Sequence, residues 1–548
     1  MIAQRARPRT CACGRALHMK AQNFIKGALI ISVGGLVAKI LGALYRIPLT
    51  NMLGGEGMGI YQMVYPLYCL LLTLSATGIP SGLARIVAQS EARGERSRSA
   101  AVLRRALFLF SAIGLLGSAV MFFASPVMSG WQREAGASHA YRMLAPSVFF
   151  VSVISCYRGY FQGKGNFLPT ALSEIFEQAV KISLGLYFAY TFRQDPAAAV
   201  AYALLAVTVS EALAAAFMIV WGSIGLRGMP KPLYRERPAV RAGSLLRFIL
   251  PVAIAAGVLP LSNMIDSIII VNQIGRYAEN ATALYGVFSG GANTLVNLPV
   301  SLCYGLAAAV IPLVSSLYAK GMAGEAEKKI CFALKCTFFV SVPAAAFLFA
   351  FPSETCAFLF RSVTGEEGAW LVRLVRIMSF GAVLLSAVQT LSACLTGRGK
   401  PKIAALSMSV SVAVKIALEF WLVKIPKVSV AGAAIAAICC YFVALLVNLL
   451  YSIRDKSNFA RMAFDLCKFA GAAAVAVGAA YPLRFAGALA LLGVSAAVYI
   501  PLCLLLKCFS REELGMFGRR KNYDHDNRAG VRPGRSHGGR KGSDPFRR

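Results

Sequence analysis

Two cations interrupt an otherwise apolar run. In KILGALYRIPL, residues 39 to 49, Lys39 and Arg46 stand seven positions apart. At 3.6 residues per turn this is close to two turns, so on a helix both project from one face, roughly 10 Å apart along the axis. Within a bilayer each would cost about 2.5–3.5 kcal/mol at mid-membrane, a cost relieved by a bundle interior or a water-filled cavity. Such a pair suits a phosphorylated anion, with arginine gripping two oxygens and lysine acting as a point charge. Arg85, which follows GIP, either extends this set or marks the membrane interface. The alternative for Lys39 and Arg46 is snorkelling to the headgroups.

A second chemical group lies in PLSNMIDSIII, where Asp266 is one turn from Asn263 and Ser262 and follows Pro260. Proline removes a backbone donor and frees a carbonyl. Oxygens of such an interrupted helix hold Na⁺, or the carboxylate carries a proton; the alternative is a hydrogen bond from Asp266 to a neighbouring helix. Glu174, Glu177 and Lys181 are spaced by three and four residues, and Lys415 and Glu419 by four. Each set neutralises itself along one helix face, which predicts structural ion pairs. Glu419 is kept as a secondary cation-site candidate. Beyond Na⁺ at Asp266 no metal is predicted, and no organic cofactor.

The elements that position these residues follow from composition. Of 548 residues 57% are hydrophobic and 15% charged, and the mean hydropathy is +0.63, far outside the range of soluble domains. Stretches long enough to cross a hydrocarbon core of roughly 30 Å recur along the chain. Fourteen are predicted, at 24–46, 59–86, 102–126, 139–160, 167–191, 198–225, 247–272, 283–318, 327–351, 370–396, 402–423, 429–452, 462–480 and 484–507. The eighth also reads as two short ones. Segments after the even-numbered spans are rich in cations, among them Arg93, Arg96, Lys231, Arg235, Lys328, Lys329, Arg398 and Lys400. The positive-inside rule makes these segments cytoplasmic, so the chain is a multi-pass protein of the cell membrane with both termini cytoplasmic.

An internal repeat organises the spans. GKGNFLPTALSEIFEQAVKISL from Gly163 and GRGKPKIAALSMSVSVAVKIAL from Gly397 share their paired glycines, an Ala-Leu-Ser and Ala-Val-Lys-Ile at an offset of 234 residues. Both open an odd-numbered span, the fifth and the eleventh. Spans one to six and seven to twelve therefore form two parallel six-helix units related by an axis along the membrane normal. The predicted fold is an all-α integral membrane protein with two pseudo-symmetric six-helix lobes and two C-terminal helices. Its divisions are a basic extension (1–23), an N-lobe (24–225), a basic cytoplasmic linker (226–246), a C-lobe (247–452), a final helix pair (453–510) and a disordered basic tail (511–548).

Net charge is +33, but much of it is spread over short loops, and the tail adds eleven Lys/Arg against five Asp/Glu. This reads as topology plus attraction to anionic headgroups, not nucleic-acid binding. No signal peptide is evident, because the first apolar span is long and carries cations.

The front segment KGALIISVGGLVAKILGALYRIPLTNMLGGEGMGIYQMVYPLYCLLLTLSATGIPSGLARIVAQS, the span-eight sequence LYGVFSGGANTLVNLPVSLCYGLAAAVIPLVSSL and the fourteen-span pattern resemble the stage V sporulation protein B group. That group belongs to the polysaccharide flippase branch of the multidrug/oligosaccharidyl-lipid/polysaccharide exporter superfamily, with the MurJ-type lipid II flippases. The resemblance, over about residues 19 to 507, implies alternating access. It implies transfer of an undecaprenyl-pyrophosphate-linked glycan, lipid II-like, from inner to outer leaflet for cell-wall or spore-cortex synthesis. The partners it implies are the lipid-linked glycan, membrane lipids and proteins of cell-wall synthesis.

Lys39-x-Leu41-Gly42 with Arg46 is similar to the Arg-x-Leu-Gly motif and following arginine whose cations line the flippase cavity, except that the first cation is lysine and the second lies one residue further along. The family's arginines of the second and eighth helices have no counterpart near Leu70–Leu71 and Thr294. Asp266 matches a seventh-helix carboxylate associated with sodium in the family. A multidrug cation exporter of the same superfamily is the nearest alternative, but it favours an acidic cavity. A polyprenyl-phosphate glycosyltransferase should show acidic catalytic motifs in a substantial loop, and the sequence supplies none; the chain is not expected to be an enzyme.

Overall fold

The computed structural model describes residues 10–73, 78–226, 242–452 and 456–509. The linker 227–241, the tail 510–548 and the side chain of Lys39 lie outside the described residues. The N-lobe comprises α1 (Thr10–Leu72), α2 (Gly78–Ala92), α3 (Arg96–Phe123), α4 (Ser125–Trp131), α5 (Gly136–Leu144), α6 (Ser147–Gly163), α7 (Leu168–Thr191) and α8 (Pro196–Leu226). The C-lobe comprises α9 (Ala242–Ile274), α10 (Ala281–Gly286), a π segment (Val287–Ala292), α11 (Asn293–Ala319), α12 (Ala323–Ala350), α13 (Pro352–Leu359), α14 (Gly365–Gly397), α15 (Pro401–Leu422) and α16 (Ala431–Ser452). The last pair, α17 (Lys456–Ala480) and α18 (Ala488–Leu505), packs on α12. No strand occurs among the described residues.

The predicted spans fall on these helices, with instructive differences. Span one and the first half of span two, to Leu72, form one helical run that reverses at Gly54, whose φ of 68° and ψ of −171° lie in a region essentially confined to glycine; the later part of span two falls on α2. The guanidinium of Arg46 consequently sits 6.0 Å from the centre of the Tyr65 ring, whereas 19 residues of straight helix would separate the two by roughly 28 Å. Span four is divided at Ala145–Pro146 into α5 and α6. Span eight is one helical run, not two short ones, and passes through the π segment, a deformation that is frequent at functional sites.

Ten helical stretches among the described residues are long and apolar enough to cross a membrane by length and composition. Their outward faces are apolar: Phe108, Phe123 and Leu450 are among the exposed side chains, as a lipid-facing surface requires.

The repeat has a physical counterpart. Gly165 and Gly399 have φ of 75° and 74°. Each ends its helix in the same pattern, Asn166 N–H donating to Phe161 O at 3.0 Å and Lys400 N–H to Leu395 O at 2.9 Å, a Schellman motif that needs glycine. The partner glycines are packing positions. A Cβ on Gly163 would lie 2.6 Å from Val87 Cβ on α2, and one on Gly397 3.3 Å from Val314 Cβ on α11. The same helix end thus rests on the second span of each lobe.

Candidate functional site

A cavity of about 510 Å³ lies where the lobes meet. From the N-lobe it is lined by Gly42, Tyr45 and Arg46 on the first arm of α1, Tyr61 and Tyr65 on the second, and Gln178 and Lys181 on α7. Asn263 on α9, with Thr294, Asn297 and Ser301 on α11, completes it from the C-lobe. Every lining residue among those described is glycine, tyrosine or polar, and none of them is acidic. Arg46 has no carboxylate at ion-pair distance among the described residues, while Lys181 Nζ is 3.6 Å from Glu177 Oε1. Glu177 is shared, since Arg158 on α6 donates to its other oxygen at 3.1 Å. Tyr45 Oη, Gln178 Oε1 and Thr294 Oγ1 are buried and make no hydrogen bond within the described protein. Buried polar atoms are normally satisfied, so these three mark a place suited to a polar ligand.

The predicted site residues divide. Arg46 and Asn263 line the cavity. Lys39 shares the helix of Arg46, but its side chain lies outside the described residues. Arg85, exposed on α2, is not brought to the cavity, so it does not join Arg46. Asp266 and Glu419 are buried between α9 and α15, where the ammonium of Lys415 meets Asp266 Oδ2. The predicted pairing along α7 is present between Glu177 and Lys181. On α15 the lysine instead reaches across to α9, because Ser262 Oγ, 3.5 Å away, offers it a second acceptor there.

Sequence reasoning missed the cavity face of Lys181, the tyrosines and the acid Glu211. Glu211 is buried on α8 and accepts a hydrogen bond from Tyr68 Oη at 3.0 Å. A lone glutamate in the apolar run AVTVSEALAAAF is itself a signal for function.

On the side of the cavity nearer Gly54 the lobes are joined. Asn51 Nδ2 donates to Leu359 O at 2.6 Å, and Ser362 N–H to Asn51 Oδ1 at 3.2 Å. Thr282 Oγ1 donates to Glu134 Oε2 at 2.7 Å, and Gln132 Nε2 to Ser267 Oγ at 2.9 Å. Glycines let the backbones touch here: a Cβ on Gly286 would fall 2.0 Å from Gly55 O, and one on Gly59 2.1 Å from Thr282 O. Close approach through small residues is how membrane helices associate tightly.

Two helical lobes with a polar cavity between them and a belt at one end define a membrane transporter of the multidrug/oligosaccharidyl-lipid/polysaccharide exporter type. The chain belongs to the polysaccharide biosynthesis protein family, whose model matches residues 24–318, and a MatE model matches residues 251–421. Stage V sporulation protein B of Bacillus subtilis (strain 168) is 26% identical over 521 residues, covering 90% of this chain and 98% of that protein. Lipid II flippase MurJ of the same organism is 22% identical over 449 residues, covering 78% and 82%. Among solved structures, a lipid II flippase MurJ in an inward closed conformation has a TM-score of 0.67 at 14% identity, covering 87% of this chain and 99% of that one. An inward-facing multidrug resistance MATE transporter scores 0.65 at 17% identity, covering 80% and 99%. These structural likenesses establish the fold.

Proposed function

We propose that the chain is a flippase that carries an undecaprenyl-pyrophosphate-linked glycan, a lipid II-like peptidoglycan precursor, from the inner to the outer leaflet by alternating access. The observation that carries this reading is the charge of the cavity. Arg46 and Lys181 line it, no acid among the described residues does, and both lobes contribute. Arg46 is suited to two oxygens of the pyrophosphate and Lys181 to a third. Because Arg158 also holds Glu177, Lys181 can turn to an anion without leaving that carboxylate unpaired. Tyr45, Gln178 and Thr294 supply hydrogen-bonding groups to a sugar. The polyprenyl tail stays in the bilayer, since the cavity volume suits a headgroup fragment.

With both termini cytoplasmic, the Gly54 end is the outer end, and the belt is the outer gate in its closed state. The relatives that bear the names of a lipid II flippase and a sporulation protein support the cargo class, cell-wall or spore-cortex synthesis, and contact with cell-wall synthesis proteins. Coupling to a cation gradient belongs to the same reading; of the two candidates, Na⁺ and H⁺, the occupation of Asp266 by Lys415 favours H⁺. The MatE match and the MATE fold neighbours favour a second reading, cation-coupled drug export, against which the cationic cavity argues.

The test is reconstitution in liposomes with a fluorescent lipid II and, in parallel, a cationic dye. Lipid II crossing that is lost in the Arg46→Gln/Lys181→Gln double variant supports the flippase; dye transport with no lipid movement overturns it.

A further inference from the structure

The oxygen set around Asp266 looks suited to sodium in the sequence, yet the fold splits it. Asn263 faces the cavity, whereas Ser262 and Asp266 turn toward α15. There the ammonium of Lys415 meets Asp266 Oδ2 and lies 3.5 Å from Ser262 Oγ. Asp266 and Lys415 are 4% and 9% exposed, and Glu419, one turn further along α15, is fully buried. Apart from one another, the Glu419 carboxyl and Asp266 Oδ1 have no hydrogen-bond partner within the described protein.

A hard cation needs a shell of oxygens. In this site the carboxylate and the neighbouring hydroxyl already serve an ammonium, which has hydrogens to donate and no lone pair to offer. The residues present therefore do not fit a bound metal ion. Lys415 also holds the position of Lys181 in the other copy of the repeat. Lys181 answers Glu177 on its own helix, while Lys415 answers an acid on a different one. The two lobes share the lysine but not the acid.

We propose that Lys415 is the tethered cation of this carboxylate site. It neutralises Asp266 in place of a metal and makes the chain indifferent to sodium. Removing the ammonium uncovers a latent sodium site built from Asp266, Glu419 and Ser262. The charge count frames this: with the ammonium gone, two buried acids face each other, and they are neutralised either by protons or by a monovalent cation, which gains the advantage as the pH is raised. The inference concerns ion binding and does not depend on the transported lipid.

The experiment follows thermal unfolding of the purified full chain in NaCl against choline chloride at equal ionic strength, with direct binding of radioactive sodium. Wild type should melt at the same temperature in both salts and bind no sodium saturably. Lys415→Met and Lys415→Ala should melt lower in choline chloride and be rescued saturably by NaCl, and adding Asp266→Asn should abolish the rescue. Saturable, Asp266-dependent sodium binding by wild type would overturn the proposal, as would a folded Lys415→Met protein that ignores sodium. Should neither variant fold, Lys415→Arg still decides alongside wild type: it keeps a cation and must stay indifferent, and sodium binding by it would count against the idea.

Discussion

Arg46 was legible because a guanidinium in an apolar run has few places to go. Lys181 was half legible. Its i,i+4 relation to Glu177 predicted the ion pair that forms at 3.6 Å, but an ion pair on one helix does not reveal that the lysine also faces the lobe junction. Tyr45, Tyr61 and Tyr65 gave no signal, because tyrosine in an apolar span is as ordinary in a core as in a cavity. Hydrogen bonds to charged groups are worth about 1.5–3 kcal/mol. Arg46→Gln and Lys181→Gln should each weaken binding of a pyrophosphate-bearing polyprenyl lipid to the purified protein by roughly ten- to a hundredfold; the melting temperature should change little in Arg46→Gln and fall in Lys181→Gln, which takes one of two cations from buried Glu177. Arg158→Ala should act differently. It leaves Glu177 with only the longer contact to Lys181 and also removes the bond from Arg158 Nε to Ser173 Oγ that ties α6 to α7, so the thermal unfolding midpoint should fall while lipid binding changes less than in Lys181→Gln.

At the scale of elements, hydropathy located the spans and matched residues located the repeat, since both are written in local sequence. The reversal at Gly54 was not legible: its neighbours read as loop, and only the backbone angles show why glycine is needed. Gly54→Ala should cost about 1–3 kcal/mol, the range for a side chain forced into a sparsely populated backbone region, as read by the unfolding midpoint. The contact of Gly55 and Gly59 with Gly286 was also hidden, because it depends on how two distant hairpins dock. A Cβ at Gly286 would meet Gly55 O at 2.0 Å, against backbone that cannot swing aside. Gly286→Val should therefore hold the lobes apart at this end. An engineered disulfide between Asn51→Cys and Ser362→Cys, which wild-type geometry brings together, should form readily in an otherwise native background and poorly beside Gly286→Val.

Across the whole molecule the lobes share the helix end at Gly165 and Gly399 and differ in the charge they bring to the cavity. The N-lobe gives the cavity Arg46 and Lys181, while the C-lobe gives it amides and hydroxyls. On the proposed reading, a bound anion would be held mainly by one lobe and completed by the other. It can drive the two lobes between states only if those completing contacts differ between states. The force it works against is the belt at the Gly54 end, where charge assists the bond from Thr282 to Glu134 at 2.7 Å. At about 1.5–3 kcal/mol for such a bond, Thr282→Val should shift the balance toward the belt-open state about tenfold or more, since each 1.4 kcal/mol is a factor of ten. Distances between spin labels placed on the two lobes at this end should lengthen in the variant without ligand, and adding the pyrophosphate-bearing lipid should move the variant less than the wild type. If the distance distribution is unchanged, the belt does not hold the state seen here and the weight falls on the glycine contacts alone.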